Sequence, residues 1–246
     1  MGTPLLRSDP SAGKKGGRGD LKVVASLCSA KSPSFPLLQK GRMSNGEINN
    51  MWDERYAGED YLFGTEPNAF LVTQQHLFKP GMSCLAVADG EGRNGVWLAQ
   101  QGLKVLSVEA SAVALKKAKK LAQQRGVAVE FEQADLAHWQ WGEDRFDVVA
   151  AIFIQFAPPA LREQMFAGIK LSLKPGGLLL LQGYTPRQLE YKTGGPPVAE
   201  NMYTEALLRK AFGDMEILHL REHDDHIGEG TAHHGMSALI DMVAKK

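Results

Sequence analysis

The amino-acid sequence predicts a single α/β domain: a doubly wound, Rossmann-like sheet, mostly parallel, with seven strands and a C-terminal antiparallel hairpin. Three observations predict it. From Met43 onward, short β-branched or Leu-rich runs alternate with helix-period segments, the pattern of a parallel sheet covered on both faces. The run Leu85-Ala-Val-Ala-Asp-Gly-Glu-Gly-Arg-Asn-Gly95 puts an apolar strand, a glycine-rich turn and a helix start in direct succession. Two strand-like runs, Met215–Leu220 and Met236–Val243, close the chain.

Taken in order, a helix is expected at about 66–78, and strands near 83–88, 104–109, 128–133, 146–152 and 177–183. Helices at about 93–101, 111–124, 159–172 and 203–212 fill the remaining intervals. Ser111 is placed to cap the start of the 111–124 helix and Gly126 to stop it. Lys116, Lys117, Lys119 and Lys120 look like a phosphate-binding patch. Leu115, Ala118 and Leu121 recur at helical spacing beside them, so the lysines read as a solvated face. Pro175-Gly176-Gly177 should break the helix before an apolar strand over Leu178–Leu181, and a His- and Gly-rich connection should join the two final strands.

A chain of 246 residues with 43% apolar content suits about one buried α/β core. Residues 1–42 carry eight Lys/Arg and two Asp/Glu, leaving 20 basic against 26 acidic residues from Met43 on, a poor surface for nucleic acid or anionic membrane. That first segment is rich in Gly, Ser, Lys and Pro and lacks periodicity; it is expected to be a disordered extension before a domain at 43–246. No apolar run approaches the roughly 18 residues of a membrane span. Cys28 and Cys84 are the only cysteines, which points away from a disulfide framework and toward a reducing, cytoplasmic setting. Monomer and dimer are both compatible with the sequence.

Glycines at 90, 92 and 95 match the spacing of a nucleotide-cofactor turn, and Glu109 ends the next strand 19 residues beyond Gly90, where a carboxylate can hold ribose hydroxyls. Nicotinamide dinucleotides and S-adenosylmethionine both use this geometry. A short-chain dehydrogenase needs Tyr with Lys four residues on, and none of the five tyrosines (56, 61, 184, 191, 203) has it. A two-domain dehydrogenase needs more chain than follows. Gln133-Ala-Asp135-Leu136 ends the third strand, where Asp135 can accept from an adenine amino group.

With the Lys-Pro-Gly-Gly turn and the terminal hairpin, these features resemble class I S-adenosylmethionine-dependent methyltransferases. More narrowly, residues 50–245 resemble bacterial small-molecule methyltransferases of the tellurite-resistance and thiopurine group. The resemblance rests on Trp52-Asp-Glu-Arg-Tyr56, Tyr61-Leu-Phe-Gly-Thr-Glu-Pro-Asn-Ala-Phe-Leu71, Gly90-Glu-Gly-Arg-Asn94, Tyr184-Thr-Pro-Arg-Gln188, Thr193-Gly-Gly-Pro-Pro197 and Glu229-Gly-Thr-Ala-His-His-Gly235. Three departures stand out: Ala86 where an acidic residue is common, Ala88 in place of the first glycine, and Ile154-Gln155-Phe156 where relatives often carry a His.

The resemblance implies methyl transfer from S-adenosylmethionine, with S-adenosylhomocysteine as product, to a small molecule, favouring a thiol or a chalcogen or metalloid species. The alternatives are an O- or N-methyltransferase and a non-catalytic cofactor-binding module. It implies cofactor contacts at Trp52, Tyr61, Gly64, Ala88, Asp89, Gly90, Gly92, Asn94, Glu109, Ala110, Asp135, Leu136, Ile152 and Phe153. Acceptor contacts are implied at Gln155, Tyr184, Arg187 and His233, with His233 also the candidate polariser or base. His223, Asp224, Asp225, His226, His233 and His234 have ligand chemistry but no compact metal spacing, and are expected to form a polar hairpin connection without a metal.

Overall fold

The computed structural model describes residues 45–246, with side chains from residue 51 onward. The expected extension at 1–42 lies outside the described residues. The strands are β1 (Ser83–Val87), β2 (Lys104–Glu109), β3 (Glu130–Gln133), β4 (Phe146–Ile152), β5 (Leu173–Tyr184), β6 (Glu216–Glu229) and β7 (His233–Lys245). They form one sheet in the order β3-β2-β1-β4-β5-β7-β6. The first five pair in parallel, while β7 runs antiparallel between β5 and β6. The chain reverses direction across the sheet between β1 and β4, which opens a crevice at the carboxyl ends of those strands.

The helices are α1 (Asn45–Tyr56), α2 (Ala69–Thr73), α3 (Arg93–Gln100), α4 (Ala112–Arg125), α5 (Pro159–Ser172), α6 (Gln188–Tyr191) and α7 (Glu205–Phe212). Successive strand residues serve opposite faces, as period-two geometry requires. Leu85, Val87, Val149, Ala151, Leu179 and Leu181 pack with Met165, Phe166 and Ile169 of α5 and with Leu208 and Phe212 of α7. Cys84, Ala86, Val148, Ala150 and Leu180 pack on the other face with Phe70 and Leu71 of α2 and Leu98 of α3. Two buried faces account for the near-continuous apolar strands.

Ser111 accepts the Ala114 N–H and Gly126 ends α4 in the left-handed region at φ 66°, so that helix has the caps its sequence proposes. Elsewhere the elements depart from expectation. The 66–78 helix is only one turn of α2 and a 3-10 turn at Gln75–Leu77, because Asn68 caps at Ala69 and the chain then turns down toward β1. The α1 helix has no clear apolar period and was not expected.

Strand β5 begins at Leu173, directly after α5. Leu173 pairs with Phe146, and a bulge carries Pro175-Gly-Gly before pairing resumes at Leu178 with Val148. The largest correction is the hairpin. The polar His223–His226 segment is strand, paired with Leu239–Met236, and the connection shrinks to a turn at 230–232. At the sheet edge β6 tolerates alternate polar side chains, so polarity did not mark a loop there.

Candidate functional site

The crevice between β1 and β4 opens into a cavity of about 530 Å³. Its floor is the β1–α3 turn. Gly90 has φ 59°, and a Cβ there would come within 2.8 Å of the Tyr56 hydroxyl, so only glycine fits beneath the end of α1. Ala88 has φ 47°, so an alanine holds a left-handed conformation that favours glycine.

Glu109 ends β2 at 6% exposure. Its carboxylate accepts the Gly90 and Ser111 N–H groups, each at 2.9 Å, and so ties the turn to the start of α4. Burial pushes its pKa up, and the backbone donors pull against that shift. Asp89 accepts from Gly95 N, 3.2 Å from both oxygens, and from Ser107 Oγ at 2.9 Å. Burial outweighs those bonds and pushes its pKa up to about 7.

One wall is aromatic. Trp52 stacks on Tyr56 at 5.6 Å with the Arg55 guanidinium over its ring at 4.6 Å, and Tyr56 meets Phe63 edge-on at 6.2 Å. Asp53 anchors α1 by accepting from Ser111 Oγ at 2.5 Å. The loop after α1 is clamped by buried Glu91, which accepts the Leu62 N–H at 2.7 Å and the Lys117 ammonium at 2.7 Å. The hairpin turn closes from the far side, with Thr231 N donating to Leu62 O at 3.0 Å.

His233 begins β7 and enters the cavity between Phe63 (4.5 Å), Phe153 (4.6 Å) and Tyr184 (5.6 Å). Burial lowers its pKa, so the imidazole is neutral near pH 7. Glu229 lies four residues earlier. Arg93 donates to its Oε2 at 2.6 Å, and Asn68 Nδ2 and Ala69 N donate to its Oε1 at 2.9 and 3.3 Å. Although burial opposes ionisation, neighbouring His233 and Arg93 hold the Glu229 carboxyl down at about 2. Phe153, at φ 55°, is a bulky residue in a left-handed conformation on the cavity wall, a strain of the kind stored at functional sites.

The cavity gathers Trp52, Ala88, Asp89, Gly90, Asn94, Glu109, Ala110, Asp135, Leu136, Ile152, Phe153, Gln155, Tyr184 and His233 from the expected set. Four expected residues do not line it. Tyr61 turns away from the cavity to pack on Val96 and Leu121, giving its hydroxyl to Lys117 O at 3.1 Å. Gly64 abuts Gly230 in the loop–hairpin contact. Gly92 caps α3 in the left-handed region and packs on Ala118. Arg187 points to solvent and pairs with Asp224.

Gln155 lines the wall, but its amide is spent on the Tyr184 backbone, donating to O at 2.8 Å and accepting from N at 2.6 Å. Phe63, which the resemblance places with Trp52, Tyr61 and Gly64 over the cofactor, lines the wall. Arg55, Tyr56, Arg93 and Lys192 also line it and were not expected there, although Arg55 and Tyr56 lie inside the Trp52–Tyr56 motif and Arg93 inside Gly90–Asn94. Among the described residues no three His, Cys, Asp or Glu side chains come together as a metal site.

Residues 84–177 match the family model of a methyltransferase domain. An uncharacterized methyltransferase from Synechocystis is 32% identical over 112 residues, 45% of this chain, and the chain spans about half the length of that relative (51%). Among solved structures, one from a study of disulfide-to-thioacetal conversion in echinomycin biosynthesis superimposes with a TM-score of 0.68 at 17% identity, covering 81% of this chain and 91% of that one. A SAM-dependent methyltransferase from Methanosarcina mazei gives 0.59 at 17% identity, covering 74% and 98%. TehB from Haemophilus influenzae gives 0.59 at 15% identity, covering 81% and 67%. The fold is thus that of these methyltransferase structures, and residues 84–177 at its centre match a methyltransferase-domain model.

Proposed function

We propose that this chain, whose residues 84–177 match a methyltransferase-domain model, binds S-adenosylmethionine in the β1–β4 crevice and transfers its methyl group to a small-molecule acceptor. The observation that carries the reading is the shape of the cavity. At one end, a glycine turn is bracketed by the Glu109 carboxylate, with Asp135 beside it. At the other, an aromatic compartment is lined by Phe63, Phe153, Tyr184 and His233. The donor set fits the cofactor: Glu109 and the Ala88–Gly90 backbone suit ribose and the methionyl chain, and Asp135, Leu136 and Ile152 suit adenine.

When bound, the cofactor supplies an electrophilic methyl on a sulfonium. The protein then has to align an acceptor in line with it, exclude water and leave the dispersing positive charge unopposed. The aromatic walls and the latched loop over residues 61–64 exclude water. The acceptor compartment offers little base strength, since Gln155 is bound to backbone and burial weakens His233. That favours a soft nucleophile already ionised near neutral pH, a thiolate or a heavier chalcogen or metalloid anion. An oxygen or nitrogen acceptor is the second reading, favoured by one observation: His233 Nδ1 is buried in this compartment without an ordinary hydrogen bond and faces the Glu229 carboxylate 3.9 Å away, which favours taking up a proton. Calorimetry with S-adenosylmethionine, S-adenosylhomocysteine and NAD in parallel tests the proposal. Binding of the first two and not of NAD is expected; the reverse pattern, or no binding, refutes it.

A further inference from the structure

Among the described residues, three buried polar atoms of the acceptor compartment make no hydrogen bond of ordinary length: Arg93 Nη1, Tyr184 Oη, which lies beside Ser237, and His233 Nδ1, which faces Glu229 Oε2 at 3.9 Å. Their residues are 6%, 1% and 9% exposed, and all three line the cavity. Buried polar groups in folded proteins are nearly always paired, and an orphan costs about 1–3 kcal/mol, so three orphans around one space call for a ligand.

The chemistry of that ligand follows from what the three atoms offer. Arg93 is a cation with one arm on Glu229, whose Oε1 is already taken by Asn68 and Ala69, and among the described residues its second arm has no hydrogen-bond partner. Tyr184 keeps its proton, because burial raises its pKa well above the usual range for a phenol. With its proton on Nδ1, neutral His233 is a third donor. A fork-bearing cation beside two neutral donors matches a planar oxyanion.

The position favours the acceptor over the cofactor as its carrier. A Cβ placed on Gly194 would lie 3.5 Å from Tyr184 Oη and 3.8 Å from His233 Cδ2, so these groups face the Gly194–Pro197 loop that follows β5 and α6. The Glu109 and Asp135 carboxylates sit instead at the ends of β2 and β3.

We infer that Arg93, Tyr184 and His233 form a subsite for a carboxylate-class oxyanion carried by the methyl acceptor. This rests on the methyltransferase reading. A site with donors fixed for an anion rejects the neutral isostere, because the donors are then left buried and unpaired. The acceptor is therefore an acidic small molecule whose nucleophile stands apart from its anionic group.

The test uses full-length protein saturated with S-adenosylhomocysteine and titrated with 3-mercaptobenzoate or its neutral isostere 3-mercaptobenzamide, after S-adenosylhomocysteine binding is established calorimetrically. The benzoate should bind at least ten times more tightly than the amide. Tyr184→Phe removes a hydroxyl that lies beside Ser237 without an ordinary hydrogen bond, so its melting temperature should stay close to that of the wild type while the preference for the benzoate falls severalfold. Arg93→Lys keeps a cation for Glu229, loses the second arm, and should reduce the preference further.

A structural role for these groups would instead lower the stability of Tyr184→Phe and leave the preference unchanged. Equal binding of the two probes, or no binding of the benzoate, overturns the subsite while leaving the cofactor result intact. If both variants instead weaken S-adenosylmethionine binding, and wild-type protein binds decarboxylated S-adenosylmethionine correspondingly poorly, the donors serve the cofactor's own carboxylate and the acceptor assignment is wrong. Failure of S-adenosylhomocysteine to bind wild-type protein sinks both readings.

Discussion

Asp89→Asn should stabilise the ligand-free protein at alkaline pH and leave it nearly unchanged at acid pH. In the folded chain the Asp89 carboxyl releases its proton at about 7, against an ordinary value of 3.8, because burial beside Glu109 disfavours the charge more than Gly95 and Ser107 favour it. A folded-state pKa raised above the unfolded value means that the native protein binds this proton more tightly. The group's stabilising contribution is therefore complete below about 4 and is lost as pH rises toward 7. A gap of about three decades at about 1.4 kcal/mol per decade sets an upper limit on the order of 4 kcal/mol.

Asp89 borders the cavity and keeps some contact with water, so about half of that limit is the realistic gain. Asparagine preserves the size and still offers a carbonyl oxygen to the Gly95 N–H. At pH 8 the variant should be more stable by about 2 kcal/mol, roughly 4–8 °C in Tm for a chain of this size, and at pH 4.5 the two proteins should melt within a degree or two. Calorimetric scans at pH 4.5, 6 and 8 without cofactor measure this. A difference independent of pH, or one favouring the wild type as pH rises, would refute the reasoning.

Other positions give equally direct expectations. Glu109→Ala removes the acceptor of the Gly90 and Ser111 N–H groups and the proposed ribose ligand, and should weaken S-adenosylmethionine binding by about one to two decades. Unchanged affinity in a folded variant removes the ribose assignment. Ala88→Gly relieves the left-handed φ of 47° and should raise stability by about 1 kcal/mol in thermal melts; a lower Tm shows that the turn is not strained there. His233→Asn should cost less than about tenfold in methylation of a thiol, with a pH profile that follows the thiol's own ionisation. A loss of about two to four decades with disappearance of an imidazole-like limb makes His233 a general base and favours the oxygen or nitrogen acceptor.

The parallel sheet was legible because its strands are buried on both faces and read as apolar runs, and the Gly90 turn because its backbone angles demand glycine. What the sequence hid depends on partners far away along the chain. Arg93 and Glu229 both lie in recognisable motifs, yet their pairing joins residues 136 apart and no local pattern announces it. Tyr61 was expected against the cofactor but packs on Val96 and Leu121 of the neighbouring helices and spends its hydroxyl on the α4 backbone, a contact 56 residues away that no local pattern announces. Arg187 sits next to residues that line the cavity and points the opposite way, to Asp224. The hairpin misled through composition. Asp and Gly favour turns and the histidines add only polarity, but an edge strand facing solvent accepts them all, and the apolar run lies in the pairing partner β7.

The same long-range bonding explains how a buried ion pair is sustained beside the cavity. Burying Arg93 and Glu229 together costs several kcal/mol per ion unless their remaining hydrogen-bonding capacity is filled. Asn68 fills much of it, and its own orientation is fixed because Oδ1 accepts the Leu71 N–H, which turns Nδ2 toward Glu229 and toward Gln182 Oε1 at 2.6 Å. That contact in turn aims Gln182 Nε2 at Asp241 Oδ1, 2.6 Å away, and His223 Nε2 meets the other Asp241 oxygen at 2.8 Å. Each amide has one orientation that satisfies both neighbours, so the chain runs in a defined sense from the sheet edge through β7 and β5 to the cap of α2 and into the cavity. Glu229 is thereby loaded from Asn68 and Ala69 on one oxygen and from Arg93 on the other. Among the described residues Arg93 keeps its second arm without a hydrogen-bond partner, and that arm is the donor to which the proposed acceptor oxyanion binds.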